Sequence, residues 1–497
     1  MYGILIAAIL IFVFSFPLAY FSSKYNIDLD LLSRSSGFGY YGSILTNIIF
    51  ASFTVIFFSL EGSIMAQGFY HVLGLPKQIG YVVSTIIIFL PVLYGMSLLS
   101  KLQKYSNFIW IFLMIIPFLF LYFKDRSYHS FFVNFRGVNG YETALSVSVQ
   151  AAGVCLSLMS QIAEQIDYLR FMPTQTKENK KKWWFSVIIA GPGWVIFGAI
   201  KQVIGMYIGV YLFQQQNSQE LATEPVNQFN ILYSLMFPKW LASTISLLLV
   251  VLSQIKINVT NAYSGSIAWA NVSTRIFKKR PDYTIFLTVQ LGLCILLMEC
   301  DIFSFLNSLL SFYANTAIAW VTSVASDLVF NRTFFGYSPR VPEFRRGMIY
   351  PLNPVGFCSV LFSSFLSFLA YFGAFGETYK PYSPIIAVLF ALVFPPIIAI
   401  STCGMFYTRR DDDGIPIERF DYSTGLLSTK LLQCHICNGF FERPDMLLCS
   451  IHQNYSCSLC LDIDTKKEHP LVSNKSELSW KESFSKWKRR GEQITSI

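Results

Sequence analysis

The sequence predicts an all-α polytopic membrane protein that ends in a small Cys-rich tail, and three observations predict it. Of 497 residues, 53% are hydrophobic and only 13% are charged, against roughly 25% charged in an ordinary soluble domain. Eleven apolar runs approach the length of about 20 residues that a helix needs to cross a bilayer. Five of the ten cysteines crowd beyond residue 430, in a segment with few apolar residues.

The runs lie near 1–22, 44–70, 79–99, 105–123, 142–162, 183–212, 240–270, 283–299, 303–330, 354–375 and 383–407. The first lacks a basic start and a small-residue cleavage site, so it reads as a retained span and not as a signal peptide. The net charge of +9 does not point to nucleic acid, because the lysines and arginines sit in short loops between spans and no nucleic-acid module is present. They cluster after the fifth run (Arg170, Lys177, Lys180, Lys181, Lys182), after the seventh (Arg275, Lys278, Lys279, Arg280) and after the ninth (Arg332, Arg340, Arg345, Arg346). Alternate loops carry Glu220 and Glu224, Glu299 and Asp301, and Glu377. The positive-inside rule then places the basic loops and the tail after 407 in the cytoplasm, the arrangement expected of a bacterial inner-membrane protein. Lys124, Arg126 and Arg136 are a mild exception. Eleven spans with an inner C-terminus put Met1 outside, so either an upstream helix is lacking or the count is off by one. No nucleophile–base set and no phosphate loop occurs, which argues against an enzyme.

A charge within a span costs about 2.5–3.5 kcal/mol at the bilayer centre and normally faces protein or a watery cavity. Three spans contain one: Glu61 in FFSLEGSIMAQ, Lys201 in GPGWVIFGAIKQ and Lys256 in SQIKINVTNAYSGS. On a helix, Ser253, Lys256, Thr260 and Tyr263 form one polar stripe. Gln254, Asn258, Asn261 and Gly265 form a second on nearly the opposite side. Such a helix has little surface suited to lipid, and belongs inside the bundle, with Ser264 and Gly265 allowing a neighbour close. Asn258 and Asn261 either hold a solute or knit helices together. Glu61 is the natural counter-charge for one of the two lysines, or else an isolated protonated carboxyl. Lys201, nearer a span end, snorkels or takes part.

Breaks give further candidates, because discontinuous helices expose backbone groups to solutes and ions. SVSVQAAGVC places Gln150 before a small-residue patch in the fifth span, and GPGW breaks the sixth. Gly in membrane helices also serves plain packing. In SQIAEQIDYLRFMP, which ends the fifth span, Asp167 and Arg170 are three apart and can pair on one face.

In the tail, Cys434 and Cys437 form one CxxC, and Cys457 and Cys460 a second, with nineteen residues between the pairs. Two such knuckles can wrap one tetrahedral Zn²⁺, with Cys449, His435 and His452 as substitutes for a ligand; free or redox thiols are the alternative. A cytoplasmic tail is reducing, so structural disulfides are not expected, and a metal would supply the staple that so small a segment needs. The chain thus divides into a membrane domain over 1–407, a Cys-rich segment over 408–465 that holds structural Zn²⁺, and a charged end over 466–497.

SQIAEQIDYLRFMP, GPGWVIFGAIKQ, KINVTNAYSGSIAWAN, YANTAIAWVTSVASDLVFNR and YSPRVPEFRRGMIYPLNPVG together resemble the nucleobase–cation symporters, the purine–cytosine permease and allantoin/hydantoin transporter family. The resemblance spans about 1–407, and is greatest to bacterial permease-like domains that precede a Cys-rich segment and a sensor histidine kinase; no kinase is legible after 460. It implies an inverted-repeat (LeuT-type) bundle with solute held at broken helices. GFGYYGS, residues 37–43, follows the first span as a similar loop follows the family's second helix, so the family's first helix is expected to be missing. Glu61 falls near a base-contacting glutamine of the family, with Phe57 or Phe58 where a tryptophan is expected, and Lys256 falls near the family's sodium ligands.

The resemblance therefore implies a cation- or proton-coupled permease for a nucleobase-like heterocycle such as cytosine, a purine or allantoin. Its solute would be held by Glu61, Gln150, Asn258, Asn261 and Asn315. Lys256 would be a built-in cation, paired with Glu61 or with backbone carbonyls, or the carrier of the coupling proton. The alternatives are a transporter-derived sensor that signals through its zinc-bearing tail to a separate cytoplasmic partner, and a truncated, inactive permease.

Overall fold

The structure, a computed structural model, describes residues 1–135, 144–216, 218–277, 282–301 and 306–409, and in the tail 420–421, 426–427, 431–441, 446–449, 454–457 and 460. Arg136, Lys278, Lys279, Arg280, His452 and the segment 466–497 lie outside the described residues.

In chain order the helices are α1 (Tyr2–Tyr25), α2 (Leu29–Ser33), α3 (Gly39–Leu73), α4 (Lys77–Leu93), α5 (Met96–Lys124), α6 (Arg126–Asn134), α7 (Ala144–Leu156), α8 (Ile162–Leu169) and α9 (Lys180–Ala190). Then come α10 (Trp194–Gln216), α11 (Gln219–Thr223), α12 (Pro225–Ser234), α13 (Lys239–Phe277), α14 (Tyr283–Glu299), α15 (Leu306–Ser326), α16 (Pro354–Tyr371) and α17 (Ser383–Ser401). Each of the eleven apolar runs coincides with one of these helices or with a broken pair of them. Among the described residues, eight stretches are long and apolar enough to cross a membrane, and α4 and α14 are shorter apolar helices. The protein is a multi-pass integral membrane protein.

Helix ends follow local chemistry. Asp28 caps α2 by accepting from the Leu31 amide at 2.9 Å, and Asn353 caps α16 through the Val355 amide at 3.0 Å, with Pro354 at the first helical position. Gly95, at φ 74°, separates α4 from α5. The helical start of α5 at Met96 is nine residues earlier than the apolar run begins, because its first turns are polar. The expected break at GPGW is present between α9 and α10. The fifth span breaks later than its small-residue patch, at a tight 3₁₀ turn over Ser157–Gln161.

The chain forms two compact units. The first comprises Met1–Ala8, Asn47–Cys155 and Val195–Tyr313. Here α13 packs against α4, α5, α12 and α14, around a core that includes Phe58, Met65, Ile88, Leu99, Val259, Leu291 and Met298. The second comprises Ile9–Thr46, Leu156–Trp194 and Ala314–Ile497. In it α16 pairs with α17, and the kinked segment Arg34–Phe38 lies against α16.

The tail belongs to the second unit and forms three two-stranded antiparallel pairs. They are β1 (Phe420–Asp421) with β2 (Leu426–Leu427), β3 (Leu432–Gln433) with β4 (Phe440–Phe441), and β5 (Met446–Cys449) with β6 (Asn454–Cys457).

Candidate functional site

Two lysines of the first unit, Lys201 and Lys256, converge on the indole of Trp110, which α5 presents to α13 and α10. Lys256 on α13 donates from Nζ to Gln103 Oε1 at 2.8 Å, to Asn107 Oδ1 at 2.5 Å and to Ser106 Oγ at 3.2 Å. An ammonium has three donors, so all are used by α5 alone. Gln103 returns a bond from Nε2 to the Lys256 carbonyl at 2.6 Å, and Trp110 Nε1 donates to Ser253 Oγ at 2.8 Å. Lys256 Nζ lies 5.8 Å from the Trp110 ring centroid and Lys201 Nζ 5.2 Å from it. Two cations thus share one aromatic ring, each within the range of a cation–π contact.

Glu61 stands on α3, and its carboxylate is not among the acceptors of Lys256. The partners expected for Lys256, Glu61 or backbone carbonyls, are therefore corrected. Its acceptors are three neutral side chains. The physical reason is reach: all three stand together on α5, within hydrogen-bond distance of Nζ. Lys256 consequently remains an un-neutralised cation held by dipoles.

The other expected solute ligands make contacts of their own. Asn258 is fully buried and donates to the Phe58 carbonyl at 3.3 Å. Asn261, also buried, donates to Asn258 Oδ1 at 3.2 Å, and its own carbonyl accepts from Gln290 Nε2 at 3.0 Å. These amides tie α13 to α3 and α14, the helix-knitting alternative. The Asn261 side-chain oxygen is buried without a partner. Gln150 is exposed on α7, with no hydrogen bond to any described residue. Asn315 lies in the second unit, buried, and accepts from Ser367 Oγ at 2.6 Å. Sequence reasoning missed Gln103, Ser106, Asn107 and Trp110; the available signal was a polar face, at spacings of three and four, ahead of an apolar run.

Arg170 forms its ion pair with Asp28 at 3.2 Å. Asn26 bonds the carbonyls of Arg170 and Met172 at 2.9 and 2.7 Å, so the end of α8 is pinned to the α1–α2 turn.

The tail brings Cys434, Cys437, Cys457 and Cys460 together with all four sulfurs within 4.8 Å of one another, a set able to hold a metal ion. Tetrahedral thiolates about 2.3 Å from a zinc are about 3.8 Å apart, and Cys437 and Cys457 are separated by 4.0 Å. The first knuckle turns through Asn438 at φ 55°, with the Cys434 amide donating to the Gly439 carbonyl at 2.8 Å. Burial opposes ionisation of Cys434, but the amides of Cys437, Cys457 and Ile436 outweigh it and bring its pKa down to about 6. His435 is not a ligand here. Its Nδ1 meets Ser456 Oγ at 2.9 Å, which uses the ring to join the two knuckles. The side chain of Cys449 lies outside the described residues.

With this geometry in hand, solved structures provide the comparison. Mhp1, a nucleobase-cation-symport-1 family transporter in a closed conformation with bromovinylhydantoin bound, matches 80% of this chain and 84% of its own, with a TM-score of 0.58 at 16% identity. Mhp1 in its inward-facing conformation matches with a TM-score of 0.55 at 14% identity, over 81% and 83% of the two chains. A Na⁺-coupled sialic acid symporter, substrate-bound and outward-open, matches with a TM-score of 0.57 at 13% identity, over 80% and 83%. The fold is theirs. The inverted-repeat, LeuT-type bundle implied by the sequence resemblance is thereby shown, and the likenesses are to transporters and not to enzymes. No family model matches the chain, and no curated protein matches it by sequence.

Proposed function

We propose that the chain is a secondary active transporter, a permease for a nucleobase-like heterocycle such as cytosine, a purine or allantoin, coupled to a cation or a proton. The observation that carries this is a pair of lysines, Lys201 and Lys256, set against one indole among apolar helices of a fold shared with symporters. One of those neighbours was solved with a hydantoin derivative bound, which supports a small heterocyclic solute. Lys256 takes the part of a built-in cation, held by Gln103, Ser106 and Asn107 where a symporter of this fold would need an ion, so transport does not require Na⁺. Glu61 and Lys201 are the polar elements that meet solute or exchange the coupling proton, with Gln150 a further contact. Asn258 and Asn261 hold α13 to its neighbours, and Asn315, in the second unit, is held by Ser367.

On this reading 1–407 is the permease domain in a bacterial inner membrane, with the C-terminus inside. The Cys-rich segment over 408–465 holds a structural Zn²⁺ through Cys434, Cys437, Cys457 and Cys460, and 466–497 is a charged end. A sensor that signals through this tail is the second reading. Contacts of the Cys-rich segment with the loop after α15 favour it: Arg345 reaches the Met446 carbonyl at 3.3 Å.

The test is binding and uptake of labelled uracil, cytosine, hypoxanthine and allantoin by the purified chain in sealed vesicles, with and without Na⁺. Uptake driven by an ion or proton gradient is expected. Saturable binding without uptake would establish the sensor, and neither activity would sink both.

A further inference from the structure

We propose that the four-cysteine cluster is a metal-dependent latch, whose occupancy holds the loop Glu343–Asn353 against the kinked start of α3. The inference rests on the metal reading of the tail and adds to it a role in the membrane domain.

The mechanical connection is short. Cys457 is the direct cross-strand partner of Met446, and its amide donates to Cys434 Sγ at 3.2 Å. Met446 offers its carbonyl to Arg345 Nη1, and the next residue, Leu447, is buried against Met348. Arg345 is itself buried and held by a two-point ion pair with Glu343, Nε to Oε1 at 3.0 Å and Nη2 to Oε2 at 2.6 Å. A buried guanidinium is costly to leave half-satisfied, and the β5 carbonyl is one of the acceptors that satisfy it.

The far side of the loop grips the kink. The Tyr40 amide donates to the Tyr350 carbonyl at 3.1 Å, Tyr41 to the Pro351 carbonyl at 2.7 Å, and Asn353 to the Phe38 carbonyl at 2.9 Å. Arg346 lies 4.8 Å from the Tyr40 ring. The kink itself runs through Gly37 at φ 84° and Gly39 at φ 76°, conformations in which only glycine is comfortable. The kink keeps a bond from the Gly39 amide to the Arg34 carbonyl, and the loop supplies partners for Phe38, Tyr40 and Tyr41. Without metal, the two knuckles keep the His435–Ser456 contact and the Cys457 amide bond to Cys434, but lose the ion that would fix all four sulfurs as one unit. The β5–β6 pair then loses its anchor, and the loop loses Met446 and Leu447.

The experiment uses the full chain in nanodiscs. Elemental analysis is expected to give one Zn²⁺ per chain. Hydrogen exchange of peptides covering 343–353 and 36–41 is expected to speed up about tenfold when a chelator removes the metal, to recover when Zn²⁺ is restored, and to leave α13 unchanged. Cys457→Ser should behave as the chelated protein. Arg345→Met, which touches no thiol, should keep its Zn²⁺ and still loosen both peptides; it carries the test where Cys457→Ser does not fold. Stoichiometric metal whose removal leaves both peptides as protected as before would overturn the latch and leave the metal site standing. Absence of stoichiometric metal would overturn both. An Arg345→Met variant that exchanges like the wild type would again overturn the latch alone.

Discussion

Lys256→Met tests the central feature of the membrane domain. The substitution keeps most of the stem's length and removes three bonds from Nζ, at 2.5, 2.8 and 3.2 Å, all to α5. Interhelical hydrogen bonds in membrane proteins average about 0.6 kcal/mol, and bonds to a charged group reach about 1.5–3 kcal/mol. Three bonds at the lower figure give about 2 kcal/mol; non-additivity and the relief of placing a neutral side chain among apolar helices keep the loss below about 5 kcal/mol. The assay is an SDS unfolding titration of the purified chain, run as a cycle with Gln103→Leu and the double variant. Gln103 both accepts from Lys256 Nζ and donates to its backbone carbonyl, so a coupling of about 0.5–2 kcal/mol is expected. The same variant goes into the uptake assay, where loss of transport, or a Na⁺ requirement that the wild type lacks, is expected. A Lys256→Met protein of unchanged stability, with no coupling to Gln103 and unchanged solute binding and Na⁺ response, would refute the assignment.

Other variants follow from the same geometry. Gly265→Ala places a Cβ 2.1 Å from Thr54 Oγ1 and 2.4 Å from Gln290 Nε2, so overpacking of about 1–3 kcal/mol is expected in the SDS titration. Gly39→Ala combines φ 76° with a Cβ 2.6 Å from the Tyr350 carbonyl, and should lower the thermal midpoint and the yield of folded protein, whereas Gly205→Ala, with open space around it, should not.

Much of the bundle was legible because burial in lipid demands long apolar helices, and the runs at 183–212 and 240–270 could hardly be anything else. The polar double stripe of α13 also announced a helix enclosed on two sides. What could not be read was which neighbour each stripe meets. The first turns of α5 carry Lys101, Gln103, Lys104, Ser106 and Asn107, and such a stretch looks like a loop until it is known that Lys256 lies opposite. In the tail, the Cys-x-x-Cys spacing foretold the four sulfurs, since a knuckle is a local device. His435, a possible substitute ligand by sequence, turns its ring to Ser456 instead, a contact that its proximity to two cysteines does not announce.

The placement of the charges explains why a lysine is tolerated in the middle of α13. A carboxylate partner would have neutralised it and left a fixed, inert pair. Gln103, Ser106 and Asn107 supply oxygen dipoles instead, the kind of ligand set that a protein offers to a monovalent cation. Trp110 lies beside both ammonium groups and spreads a negative ring face between them. The contact of α5 with α13 thus rests on a charge that no described carboxylate neutralises.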